Sequence, residues 1–112
     1  MSDDLWTRER RLWTGGPDDY ADMMDAAAVM VFSDPTGILV DGEIIAALDG
    51  NPRWSDCEMT DRVERHRDGL SVLAYRARAR VDAREYVALC TSVWHHSEAG
   101  SRIVAHHQTP GG

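Results

Sequence analysis

Hydrophobic residues recur along this chain in two rhythms, and the change from one to the other divides it. Leu5 and Leu12, like Trp6 and Trp13, stand seven apart, so they share one stripe of a helix while Arg8, Arg10 and Arg11 face away from it. Ser2 is placed to cap that helix, with Asp3 and Asp4 in the first turn, where the helix dipole favours acids. Gly15-Gly16 ends it. Pro17 opens a second short helix, with Asp18 and Asp19 behind it and Tyr20, Met23 and Met24 as its buried edge. The run Ala27 to Ser33 reads as a strand, stopped by the turn Asp34-Pro35-Thr36-Gly37. After Ile38-Leu39-Val40, Asp41 is placed to cap a third helix carrying Ile44, Ile45 and Leu48, which Asp49-Gly50-Asn51-Pro52 closes.

Beyond Pro52 the period drops to two. From Arg53 to Arg67, Cys57, Met59 and Val63 fall on one face and Asp56, Glu58, Arg62 and Glu64 on the other. Asp68-Gly69 turns the chain. Leu73, Tyr75, Ala77, Ala79 and Val81 then oppose Arg76, Arg78 and Arg80, which predicts one dry face and one wet one. Two β-rich runs, Tyr86 to His96 and Arg102 to Pro110, flank a short polar loop containing Gly100, the pattern of an antiparallel hairpin. With the turn near Ala99, Ser92 is expected opposite His106 and Trp94 opposite Val104. The order helix, helix, strand, helix and four long strands predicts an α+β fold.

A chain of 112 residues fits one domain, 1–112, with core enough to fold without metal or disulfide. Its net charge is -7 and its twelve basic residues are all arginine. That balance argues against nucleic acid as a partner. The N-terminus lacks a signal-peptide core and the apolar run Ala26 to Phe32 is too short to cross a bilayer, so neither export nor a membrane is expected. Cys57 and Cys90 are expected as buried reduced thiols, which points to the cytoplasm. No phosphate-loop, dinucleotide, nucleophile-elbow or paired-cysteine motif is present, so no cofactor is expected.

The segments Val31 to Leu39, Pro52-Arg53-Trp54, Leu73-Ala74-Tyr75-Arg76 and His106-His107-Gln108-Thr109-Pro110 resemble the nuclear transport factor 2-like superfamily. This cone-shaped fold is shared with ketosteroid isomerase and polyketide-cyclase-like proteins, and the chain most resembles a small bacterial branch of unknown function. The resemblance implies three N-terminal helices in the concavity of a curved, mostly antiparallel sheet, with an apolar cavity at the wide end. It also implies homodimers formed through the outer face of the sheet. Asp34-Pro35-Thr36-Gly37 resembles the turn that carries the isomerase's general base.

Asp34 is therefore a candidate catalytic base, with His106 or His107 as hydrogen donor or acid, one of the two being required to point inward on a regular strand. The tyrosine that an isomerase aims at an enolate oxygen has no counterpart near Arg8 to Arg11, and the neutral acid it uses has no obvious counterpart on the inner face of the sheet. Trp13, Tyr20, Met24, Met30, Trp54, Met59, Tyr75, Cys90 and Trp94 are candidate walls of a pocket for a small apolar or aromatic molecule. A metal is not expected, because about four strand residues, roughly 13 Å, separate His95 or His96 from His106; the tip histidines are expected in solvent. The leading reading is a small-molecule-binding domain. The rivals are a cofactor-independent isomerase, cyclase or dehydratase using Asp34, and a non-catalytic interaction or dimerisation module.

Overall fold

The computed structural model of the chain describes residues 2–49 and 52–111, with side chains from Asp4 onward. The cap expected from the Ser2 side chain and the Gly50-Asn51 part of the stop after the third helix lie outside the described residues. Three helices and six strands follow in the order α1 (Ser2–Thr14), α2 (Pro17–Met23), β1 (Met24–Val31), β2 (Ile38–Val40), α3 (Gly42–Ala46), β3 (Asp56–Arg67), β4 (Leu70–Val81), β5 (Arg84–Ser97) and β6 (Gly100–Pro110). The strands form one sheet in the order β2-β1-β6-β5-β4-β3. Neighbours run antiparallel except β1 and β6, which pair in parallel.

Each tight turn sits where the sequence supplies a residue tolerant of positive φ. Asp68 (φ 48°) and Gly69 (φ 79°) link β3 to β4 through two residues, as a primed hairpin turn requires. Between α1 and α2, a Cβ on Gly15 would lie 2.7 Å from the Arg11 carbonyl oxygen, so only glycine lets the chain turn that closely. The Gly16 amide donates to Asp19 Oδ2 at 3.1 Å, which ties the start of α2.

One face of the sheet lies under the helices. Leu5, Trp6, Leu12 and Trp13 of α1, Tyr20 and Met23 of α2 and Ile44 of α3 are buried together with Met30, Leu73, Tyr75, Cys90, Trp94 and Ile103 of the sheet. The pairing aligns Leu39, Met30, His106, Ser92, Leu73 and Glu64 in one row across that face. Among the described residues no helix is long and apolar enough to cross a membrane.

Several expectations shift in register. A bulge in β3 between Thr60 and Val63, with Asp61 at φ 54°, inserts one residue, so the faces exchange beyond it. Val63 is therefore exposed, and Glu64 turns toward the helices. A second irregularity pairs Trp94 with Ile103 rather than Val104, while Ser92 does pair with His106. Met24 opens β1 instead of lining α2, because its backbone is already extended. Asp41 makes no side-chain cap; Glu43 instead reaches back and accepts from the Val40 amide at 2.9 Å.

Leu73, fully buried at the centre of the inner row, supports a direct test. Leu73→Ala is expected to cost about 2–5 kcal/mol in chemical denaturation, and Ala77→Leu, at an equally closed position, about 1–3 kcal/mol through overpacking.

Candidate functional site

The polar centre of the molecule is Glu9, which is fully buried. It stands four residues after Leu5 and three before Leu12, and so falls on the apolar stripe of α1 despite its arginine neighbours. A buried carboxylate must be compensated. Tyr75 Oη and Ser92 Oγ donate to its Oε2 at 2.6 and 2.5 Å, and Trp94 Nε1 donates to its Oε1 at 2.8 Å. Trp13 Nε1 donates in turn to Tyr75 Oη at 3.1 Å.

His106 completes the arrangement. Its Nδ1 lies 2.7 Å from Ser92 Oγ and 3.6 Å from Glu9 Oε2. With the single Ser92 hydrogen given to Glu9, Nδ1 must carry the hydrogen of that contact. On the other side, Nε2 lies 2.9 Å from Gln108 Oε1, an acceptor, and Gln108 Nε2 donates to Tyr86 Oη at 3.3 Å. Ser92 and Gln108 thus hold the ring from its two sides, beside the Glu9 carboxylate.

The titration of Glu9 follows from this opposition. Burial pushes its carboxyl upward, but the hydrogen bond and charge of His106, with the hydroxyls of Ser92 and Tyr75, hold it below its ordinary 4.5. Burial, then the Glu9 charge, pushes the Tyr75 phenol well above its ordinary range. The Cys90 thiol is raised to about 12, chiefly by burial and next by Glu9. Cys57 is likewise raised to about 12 by burial, so neither thiol is a ready nucleophile.

Beside His106 opens a cavity of about 210 Å³, lined by Leu12, Trp13, Tyr20, Met30, Phe32, Thr36, Leu39, Ile44, Ala47, Leu48, Arg53, Trp54, His106 and Gln108. Phe32 and Trp13 flank the imidazole, their ring centroids 6.2 and 6.4 Å from it. Trp54 stacks on Tyr86 at 5.8 Å. Arg53 braces the wall, its Nε donating to the Gly15 carbonyl at 2.7 Å and its Nη2 to the Leu12 carbonyl. The Tyr20 hydroxyl also donates to the Leu12 carbonyl; burial raises that phenol to about 12, against the pull of the Arg53 charge.

The residues expected at a site are thus distributed over several places. Trp13, Tyr20, Met30, Trp54 and His106 line this cavity. Tyr75 and Trp94 lie behind it as ligands of Glu9, Cys90 and Met59 are packed in the core, and Met24 borders a shallow depression beside Asp41. His107 stands exposed on the opposite face. Asp34 is exposed in its turn, and of that turn only Thr36 borders the cavity. The base proposed for proton abstraction therefore lies outside the cavity. No carboxylic acid is among the residues that line the cavity; the buried carboxylate of Glu9, with Tyr75 bonded to it, stands behind the wall.

A second polar set lies at the far end of α1. Ser101 Oγ, His96, Ser71 Oγ, His66 and Glu64 form a chain with successive contacts of 2.5, 2.6, 2.7 and 2.6 Å. Trp6 Nε1 donates to Glu64 at 2.8 Å. The bulge in β3 brings Glu64 into this chain, and His96, exposed as expected, has a serine on each ring nitrogen.

No protein-family profile and no curated protein sequence matches the chain. Solved structures do. A candidate ketosteroid isomerase from Parabacteroides distasonis superposes with a TM-score of 0.81 at 13% identity, over 96% of this chain and 85% of that one. A nuclear transport factor 2-like protein from Cytophaga hutchinsonii gives 0.80 at 12% identity, over 98% of both chains. A candidate calcium/calmodulin-dependent protein kinase II association domain from Xanthomonas campestris gives 0.74 at 20% identity, over 96% and 81%. The fold is the nuclear transport factor 2-like fold.

The lowered Glu9 carboxyl makes stability depend on pH in a defined sense. A group whose folded pKa is depressed stabilises above its unfolded value and loses that contribution as pH falls through the folded one. Wild type should therefore lose stability as pH drops below 4.5. Glu9→Gln, which breaks the pair, should cost about 3 kcal/mol or more at pH 7, and the gap to wild type should narrow on acidification. Urea denaturation at a series of pH values measures both.

Proposed function

We propose that this protein is a single domain spanning residues 1–112 that binds a small, mainly apolar organic molecule in the cavity beside His106. One observation carries the reading: aromatic and aliphatic walls converge on a short polar floor made by His106 and Gln108. That is the composition of a small-molecule site, apolar area supplying affinity and a few fixed polar groups supplying orientation. Glu9 and Ser92 hold the imidazole in place before a ligand arrives, which reduces the ordering cost of binding. No catalytic role is assigned to Asp34. Free, buried Cys57 and Cys90 support a reducing compartment such as the cytoplasm.

We also propose a homodimer formed through the outer face of the sheet. Leu70, Val72 and Leu89 expose 38, 36 and 52% of their surface there, and symmetric pairing is the common way to cover such a face. The association-domain name of the Xanthomonas campestris structure lends support by analogy.

Leu39→Trp, which places an indole in the cavity, should keep the circular dichroism spectrum and abolish the thermal shifts that small aromatic fragments such as indole give the wild type. Fragments that shift neither protein, or both equally, count against the binding reading. Leu89→Asp should convert a dimer to a monomer in light scattering; a wild type already monomeric at micromolar concentration removes the dimer.

A further inference from the structure

The charge of the cavity points to one class of ligand. We infer that the occupant is a small organic monocarboxylate, its carboxylate on Arg53 and its apolar body against Trp54, Met30 and Phe32; this rests on the cavity being a binding site. The protein is acidic, with a net charge of -7, yet the cavity wall contains Arg53 and His106 and no aspartate or glutamate. Glu9 balances His106 from behind. Among the described residues no carboxylate pairs with Arg53.

The Arg53 guanidinium gives its Nε hydrogen to the Gly15 carbonyl and its Nη2 hydrogens to the Leu12 carbonyl and to Tyr20 Oη, the last at 3.3 Å. All three partners are uncharged. Its carbon lies 5.6 Å from the centre of the Tyr20 ring, which fixes the plane of the fork. The two Nη1 hydrogens have no partner among the described residues. An arginine held by neutral groups keeps its full charge, and its Nη1 hydrogens are left to give a carboxylate a charge-assisted hydrogen bond. A phosphate dianion would need more donors than one arginine, with Nε and Nη2 already engaged, supplies. The cavity, at about 210 Å³, holds roughly seven waters at about 30 Å³ each, room for one ring with a short substituent.

Benzoate and benzamide, nearly equal in shape, separate charge from fit. Isothermal titration calorimetry of the whole protein at low salt should give benzoate at least tenfold tighter binding than benzamide, with the advantage shrinking in high salt. Arg53→Met should erase the advantage, and Arg53→Lys should restore part of it. Equal binding, or a preference for the amide, overturns the carboxylate assignment while leaving the cavity as a site. Binding of neither probe overturns both. Because Arg53 also ties down the end of α1, the wild-type comparison of the two probes decides the matter even where Arg53→Met folds poorly.

Discussion

Taking a carboxylate out of water costs several kcal/mol even after the protein relaxes around it, and this fold places one at its centre. Glu9 is tolerated because three side chains from the sheet donate to it and a fourth, His106, brings positive charge. The donors come from β4, β5 and β6, so one side chain of α1 sets the height and rotation of the helix over three strands. An apolar residue of similar size at position 9 would leave the Trp94 and Tyr75 donors without acceptors, which explains why the aromatic core requires an acid there. The pair costs energy to bury, and what it returns is a fixed geometry.

That geometry connects the core to the cavity. Glu9 and Ser92 hold His106 from behind, and the other edge of the ring, with Gln108, forms the cavity floor. Tyr75 and Trp13 extend the same hydrogen bonding to the wall. The inner face thus has three zones: a compensated ion pair in the middle, a cavity containing Arg53 on one side, and a serine–histidine chain ending on Glu64 on the other. Compensation decides which group can act on a ligand. His106 is spent on Glu9, whereas Arg53 retains charge for a guest.

Much of this was legible in the chain, for physical reasons. The seven-residue spacing of Leu5, Trp6, Leu12 and Trp13 located α1, and the alternation from Leu70 to Val81 located β4, because both patterns follow from burying one face. Asp68-Gly69 marked its turn because few residues accept positive φ in succession. Glu9 was overlooked because it sits among arginines and reads as part of a solvated face, although its place three and four residues from the buried leucines and tryptophans was a usable signal. Glu64 and Val63 exchanged faces because a bulge flips the parity of a strand and leaves no mark in its alternation. The roles of His106 and His107 waited on a loop length that only the pairing of Ser92 with His106 defines. Asp34 carried a suggestive turn, but a turn sequence specifies backbone, not the direction in which its first side chain faces.

The geometry of the centre depends on Glu9 being ionised inside the folded protein. Carbon-13 NMR of the Glu9 carboxyl carbon, followed through a pH titration of the native state, reads its protonation directly. A midpoint below 4.5, with the shift of a carboxylate throughout the neutral range, is the predicted result. A midpoint above that value, or the shift of a protonated carboxyl at neutral pH, would mean that His106 is not its counter-ion and that the centre is held together in some other way.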